Sequence, residues 1–154
     1  DLTAALSEPG ASFVTLTIAG RLRGCIGALQ AYQPLAEDVR EHAADAATSD
    51  YRFPPVRVQE VTMLKIEISR LTTPVRLEYD QPALLPTLLR PGVDGVVLQD
   101  GTRRATFLPQ VWQSLPSPAA FLGQLCQKMG ASASLWQQKV LQVSLYQVEE
   151  FAED

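Results

Sequence analysis

Two short runs of apolar and β-branched residues open the chain. Phe13-Val-Thr-Leu-Thr-Ile18 has strand character, and Arg21-Leu-Arg-Gly-Cys-Ile26 follows across Ala19-Gly20, a pattern that predicts a tight hairpin. Pro34 stands at the favoured first position of a helix, with Glu37 and Asp38 placed to suit the positive end of the helix dipole. Leu35, Val39, Ala43 and Ala46/Ala47 recur at helical spacing, so an alanine-lined stripe is expected to lie close against a sheet. The helix should stop near Thr48 to Asp50. Asp50-Tyr-Arg-Phe-Pro-Pro55 cannot continue it, because consecutive prolines exclude helix and force extended backbone before them.

Met63 to Leu71 alternates, with Leu64, Ile66 and Ile68 expected inward beneath that helix and Lys65, Glu67 and Ser69 outward. Asp80 to Arg90 reads as a short helix interrupted by Pro82 and Pro86. Gly95 to Gln99 and Arg103 to Leu108 predict a second hairpin across Asp100-Gly101. Ser117-Pro118 opens another helix, with Phe121, Leu122, Leu125, Cys126 and Met129 on one side and Gly130 as its stop. Val140 to Phe151 predicts one closing strand whose alternation slips between Leu145 and Tyr146, as a bulge would make it. Strands paired as hairpins, with helices between groups of them, give an α+β fold built on largely antiparallel sheet with packed helices. No repeat or long linker divides the 154 residues, so a single domain over 1–154 is expected.

Composition narrows the function classes. Hydrophobic residues make up 46% and charged residues 19%, the balance of an ordinary globular chain. A net charge of −4 argues against nucleic acid as an electrostatically driven partner. Arginine nevertheless outnumbers lysine ten to three, which favours bidentate anion or carboxylate binding over simple charge. No apolar run approaches the roughly 20 residues of a membrane span, and no signal peptide is recognisable. The chain opens on Asp1 rather than methionine, so a short preceding segment is expected. Two cysteines far apart do not form a disulfide framework, and Cys25 and Cys126 are expected to be unbonded, as suits a reducing cytoplasm.

The most informative chemistry is Arg21-Leu-Arg-Gly-Cys-Ile-Gly27. Simple alternation puts Arg23 and Cys25 on one face and Leu22, Gly24 and Ile26 on the other. A guanidinium beside a thiol favours the nucleophilic, metal-binding thiolate. Gly24 and Gly27 leave room for a ligand or a neighbouring backbone to come close. Asp50 and Arg52, on a turn stiffened by Pro54-Pro55, are candidates to line the same site, and Arg104 is a further one. Named enzyme motifs are otherwise missing: there is no phosphate loop, CxxC or HExxH, and one histidine argues against a protein-supplied zinc site. That residue, His42, lies at the edge of the apolar helical stripe, where a packed role is the better expectation than membership of a triad.

Leu22-Arg-Gly-Cys-Ile-Gly27, Pro34-Leu-Ala-Glu-Asp-Val39, Asp50-Tyr-Arg-Phe-Pro-Pro55, Lys65-Ile-Glu-Ile-Ser69, Pro91-Gly-Val-Asp-Gly95 and Phe107-Leu-Pro-Gln-Val-Trp112 form an ordered series, completed by the Phe121 to Gly130 helix. From about Gly10 to Phe151 it resembles the AMMECR-type domain family, protein A of the AmmeMemoRadiSam system. Thr106 and a shortened N-terminal helix are departures from the family pattern. The resemblance implies an α+β fold of two subdomains around an antiparallel sheet, forming one compact unit, with the signature beside a cleft. It also implies association with a Memo-type protein and a radical SAM protein; it supplies no reaction, substrate or cofactor.

Two functions follow as expectations. The first is an adaptor or binding module recognising a partner protein or small anion through Arg23, Arg52 and backbone amides near Gly24 and Gly27. The second is an enzyme or enzyme subunit with Cys25 as nucleophile or ligand, while Asp50 and Arg52 position a polar substrate. The thin catalytic inventory favours the first.

Overall fold

Ala19 and Gly20 both have positive φ, 51° and 77°, the twist that a two-residue hairpin turn needs. They join β1 (Ala11–Ile18) to β2 (Arg21–Gly27). In the computed structural model, which describes residues 3–153, the chain divides into two units.

The first unit comprises Asp1–Thr73 and Glu149–Asp154. It contains the single-turn α1 (Ala4–Ser7), the hairpin, α2 (Leu35–Thr48), the single-turn α3 (Val58–Val61) and β3 (Leu64–Leu71), and it is completed by β8 (Val148–Ala152). Its sheet runs β2-β1-β3-β8. α2 packs over β1 and β2, and Val14, Leu16 and Ala46 are sealed between them. Leu64, Ile66 and Ile68 do face this helix, as their period of two requires, but they are only half-buried. The reason is position: α2 lies over the hairpin, leaving β3 at the margin. On the opposite face, Lys65 is exposed as expected, whereas Ser69 is buried.

The second unit, Pro74–Val148, carries β4 (Val75–Arg76), a 3-10 turn at Pro82–Leu84 and α4 (Leu85–Leu88). The hairpin β5 (Gly95–Asp100) and β6 (Arg103–Phe107) turns at 101–102, one residue later than expected. A 3-10 turn at Pro109–Gln113, then α5 (Pro118–Lys128), α6 (Leu135–Gln138) and β7 (Gln142–Tyr146) complete it. This sheet runs β4-β7-β5-β6. The α5 stripe is fully buried, and Phe121 stacks on Trp112 at 3.8 Å between ring centroids. Cys126 lies in that core, where burial pushes its thiol up; both cysteines are free. Thr106 donates to the Val96 carbonyl and lies 2.9 Å from the buried Tyr146 hydroxyl, so its departure from the family pattern has a bonding role here.

The fold is α+β with antiparallel pairing, as expected, but the strands form two four-stranded sheets rather than one. The closing strand is likewise two: β7 belongs to the second sheet and β8 to the first, with Gln147 between them. No bulge separates Leu145 from Tyr146: they pair in unbroken register with Val96 and Gly95, so they face opposite sides of the second sheet, and the buried Tyr146 ring fits against Gly95.

Two glycine substitutions separate close packing from helix propensity. A Cβ on Gly24 would sit 2.0 Å from the Ala46 carbonyl oxygen of α2, backbone against backbone. Gly24→Ala should therefore cost roughly 3 kcal/mol, at the upper end for overpacking. At Gly123, within α5, a Cβ would meet Ala133 no closer than 3.5 Å, an ordinary contact. Gly123→Ala should gain about 0.5–1 kcal/mol by propensity. Urea denaturation of the two variants measures both.

Candidate functional site

Register decides which way the signature faces. Below the turn, Ile18 opposes Arg21 and Thr17 opposes Leu22; above it, Leu16 opposes Gly24 and Thr15 opposes Cys25. Arg23 is the extra residue of a bulge, and the bulge shifts every later residue of β2 to the other face. Gly24 and Ile26 therefore face α2, whereas Cys25 joins Thr15 on the opposite face. Leu22 shares that opposite face through Thr17, so the simple alternation read from sequence holds for Gly24 and Ile26 but not for Leu22 or Arg23.

Arg23 is drawn away from the thiol. Its Nε and Nη2 donate to the two oxygens of Glu60 in α3, at 2.9 and 3.0 Å, and its Nη1 is buried with no hydrogen-bond partner among the described residues. Glu60 Oε1 also accepts the Arg57 backbone N–H at 2.9 Å. The Arg23 hydrogen bonds, helped by this N–H, hold the Glu60 carboxyl down to about 2. Sequence reasoning missed Glu60. Its signal was the Arg57-x-x-Glu60 spacing, which lets the third helical residue reach back to the N-terminal N–H.

Cys25 is half-buried. Its Sγ lies 3.2 Å from Thr15 Oγ1, and its backbone N–H, pointing off the free edge of β2, donates to Asp50 Oδ2 at 3.0 Å. Asp50 is buried and fully engaged: Oδ1 accepts from Arg52 N and Nε, and Oδ2 also accepts from Arg52 Nη2 at 2.7 Å. The bonded Arg52 guanidinium holds the Asp50 carboxyl well below the usual carboxylate range despite its burial, and the N–H groups of Cys25 and Arg52 assist. Arg52 itself is half-exposed. Asp50 raises the Arg52 pKa most, and Cys25 contributes to the same shift. Arg52 is thus the cation tied to Cys25, through the Asp50 oxygen that both the Cys25 N–H and Arg52 Nη2 bond.

The structure therefore brings Cys25, Asp50 and Arg52 together and gives Arg23 a separate partner, Glu60 of α3. The space left by the glycines is filled: Gly24 lies against Ala46, and Gly27 against the ring of Phe13, 2.3 Å from where a Cβ would be. Arg104 lies exposed on β6 in the second unit.

His42 is on the α2 side of the sheet, where Ser12 and Asp38 join it. Ser12 Oγ donates to Asp38 Oδ2 at 2.6 Å, and His42 Nδ1 lies 3.1 Å from the same oxygen and 3.3 Å from Ser12 Oγ. A catalytic relay sets serine and aspartate at opposite ring nitrogens. Here both crowd Nδ1, and Ser12 and Asp38 are fully buried. This is a docking network that fastens α2 to β1. Gln33 extends it by donating to both Asp38 and Glu41, and Tyr32 also donates to Glu41. Among the described residues, no group of three or more His, Cys, Asp or Glu side chains gathers to hold a metal ion, and no helix is long and apolar enough to cross a membrane.

A family model described as AMMECR1 matches residues 1–151. A protein of Methanothermobacter thermautotrophicus is 41% identical over 143 residues, covering 92% of this chain and 74% of that one. A protein of Methanococcus aeolicus is 34% identical over 160 residues, covering 99% and 78%. The crystal structure of the uncharacterised protein PH0010 from Pyrococcus horikoshii superposes with a TM-score of 0.92 at 32% identity, covering all of this chain and 78% of that one.

The Asp50 clamp has a pH signature. Its carboxyl titrates lower folded than unfolded. Its stabilising contribution is therefore complete above the unfolded value of about 4 and is lost as pH falls through the folded one. Asp50→Asn should lower the thermal midpoint at neutral pH, and its gap from the parent should close progressively in acid. A gap independent of pH would show that the loss is one of packing rather than charge.

Proposed function

The chain belongs to the AMMECR1 family, and we propose that it acts as a binding module, an adaptor component rather than a thiol enzyme. One observation carries this reading: the charged groups around the signature are already committed to one another. Arg23 is neutralised by Glu60, and Asp50 is saturated by Arg52 and the Cys25 N–H. The chain's one histidine sits on the far side of the sheet from the thiol, tied to Asp38. A nucleophilic cysteine ordinarily has a base within hydrogen-bond reach, and the polar neighbour of Sγ here is the Thr15 hydroxyl. Such pairs make a stiff scaffold, and stiffness lowers the entropy cost of recognition.

The resemblance to protein A of the AmmeMemoRadiSam system supplies the partners of this reading: a Memo-type protein and a radical SAM protein, met in the cytoplasm through the Arg-Gly-Cys-Ile-Gly segment. The half-buried Cys25, whose N–H shares the Asp50 carboxylate with Arg52, supports a second reading, with its thiol as the nucleophile or ligand of an enzyme subunit.

Calorimetry of the purified chain with the Memo-type and radical SAM proteins of the same genome tests the first reading. Association with at least one is expected, and Arg52→Ala should weaken it at least about tenfold, as the loss of an arginine anchor does. Absence of association with both, together with a metabolite consumed by the parent but not by Cys25→Ala, would establish the enzyme reading instead.

A further inference from the structure

The connection between α2 and β3 skirts the free edge of β2 and is tied to it at two points. Asp50 holds the Cys25 N–H, and Glu60 holds the Arg23 guanidinium. These anchors lie two residues apart on β2, about 7 Å along an extended strand. Between and beside them, the connection turns large apolar groups to solvent. Tyr51 is 96% exposed, Val58 86% and Val61 58%. Val58 and Val61 are three apart on α3 and so lie on one side of it.

Free side chains in a loop seldom need this composition. A β-branched pair on a one-turn helix contributes nothing to the core when it faces water, and Tyr51 is presented by a turn whose backbone the Asp50 carboxylate and the Phe53 N–H to Asp50 carbonyl bond hold rigid. Rigid tyrosine and arginine side chains, held before binding, are what interface anchors are made of. The charge balance leaves an arginine over, since Asp50 is paired with Arg52 and Glu60 with Arg23. From Tyr51 to Lys65 the sequence contains one acid, Glu60, which is consumed by Arg23 and by the Arg57 N–H. Arg52 is half-exposed, and Arg57 is exposed with no ion pair among the described residues. Exposed apolar side chains and arginines therefore alternate along one connection of a chain whose net charge is −4.

We propose that Tyr51, Arg52, Arg57, Val58 and Val61 form the recognition surface for an acidic, amphipathic segment of a partner protein. Its apolar residues seat on Tyr51, Val58 and Val61, and its carboxylates meet the two arginines. This rests on the binding-module reading and adds the chemical class of the partner. Arg57 suits a carboxylate because a guanidinium fork matches it bidentately, and Arg52, whose Nε and Nη2 are held by Asp50, adds the outer edge of its half-exposed guanidinium.

A random peptide library displayed on phage and selected against the immobilised full chain tests this. Expected binders carry two or more Asp or Glu flanking Leu, Ile or Phe. Their affinity should fall at least about tenfold for the Tyr51→Ala/Val58→Ser double variant, the loss of more than one anchor. Arg57→Glu should disfavour the same peptides while leaving the thermal midpoint unchanged, since all three positions are exposed. Selected peptides that are basic or uncharged would overturn the proposal. So would acidic binders that ignore the double variant, which would leave the chain a binding module with its surface elsewhere. A selection that enriches nothing would count against the binding-module reading as well. Vesicles of phosphatidylserine that bind the parent and not the double variant would assign the patch to an anionic membrane surface and overturn the peptide.

Discussion

The one extra residue at Arg23 is the constraint on which the rest of the signature depends. A two-residue turn fixes the register at Ile18 and Arg21, and continued without interruption it would set Cys25 on the α2 face, beneath the helix. The bulge inverts this. Gly24 then becomes the residue under α2, close enough to the Ala46 carbonyl that no side chain fits, and Cys25 is released to the opposite face beside Thr15. The helix can approach because of the glycine, and the glycine is in position because of the bulge. The Glu60 carboxylate that holds Arg23 thereby helps to set the direction of a thiol two residues away.

An edge strand is a liability when its outward N–H groups are open, since another strand can pair with them. β2 is such an edge, and three devices blunt it. The bulge breaks its pairing pattern, the Arg23–Glu60 pair lays α3 beside it, and Asp50 occupies the Cys25 N–H. Asp50 is thus read as a member of the scaffold first. Its buried carboxylate would be costly unpaired, and the Arg52 fork removes that cost while leaving half of the arginine at the surface. One interaction closes the edge and aims a cation outward.

Much of this was legible in the residues. Period-two and period-3.6 patterns located both hairpins and both long helices, and the α5 stripe proved to be the core of the second unit. The grouping of Cys25 with Asp50 and Arg52 was also foreseeable, from a proline-stiffened turn carrying two charges. The face of Arg23 was not, because alternation assumes an unbroken ladder and nothing local in Arg-Leu-Arg-Gly announces a bulge. Ser12 and Asp38 were equally hidden: each reads as a surface polar residue alone, and only their pairing across the sheet and helix makes burial affordable. The slipped alternation at Leu145-Tyr146 was also misleading: it reflects two apolar side chains on opposite faces of β7, and Tyr146 can be buried there because Gly95 leaves room for its ring.

The division of residues 140–151 between two sheets has a consequence for how the molecule is assembled. The second unit is one uninterrupted stretch of chain, Pro74–Val148, and every strand of its sheet is available once β7 has been made. The first unit is not. Its sheet lacks an edge until β8 arrives, so during synthesis β3 emerges early and waits for a neighbour encoded a whole unit later. The interval is one in which an unpaired strand is open to the wrong companion. Of the two, the unit that carries the signature is therefore the later to be completed, although its hairpin precedes every strand of the other in the chain.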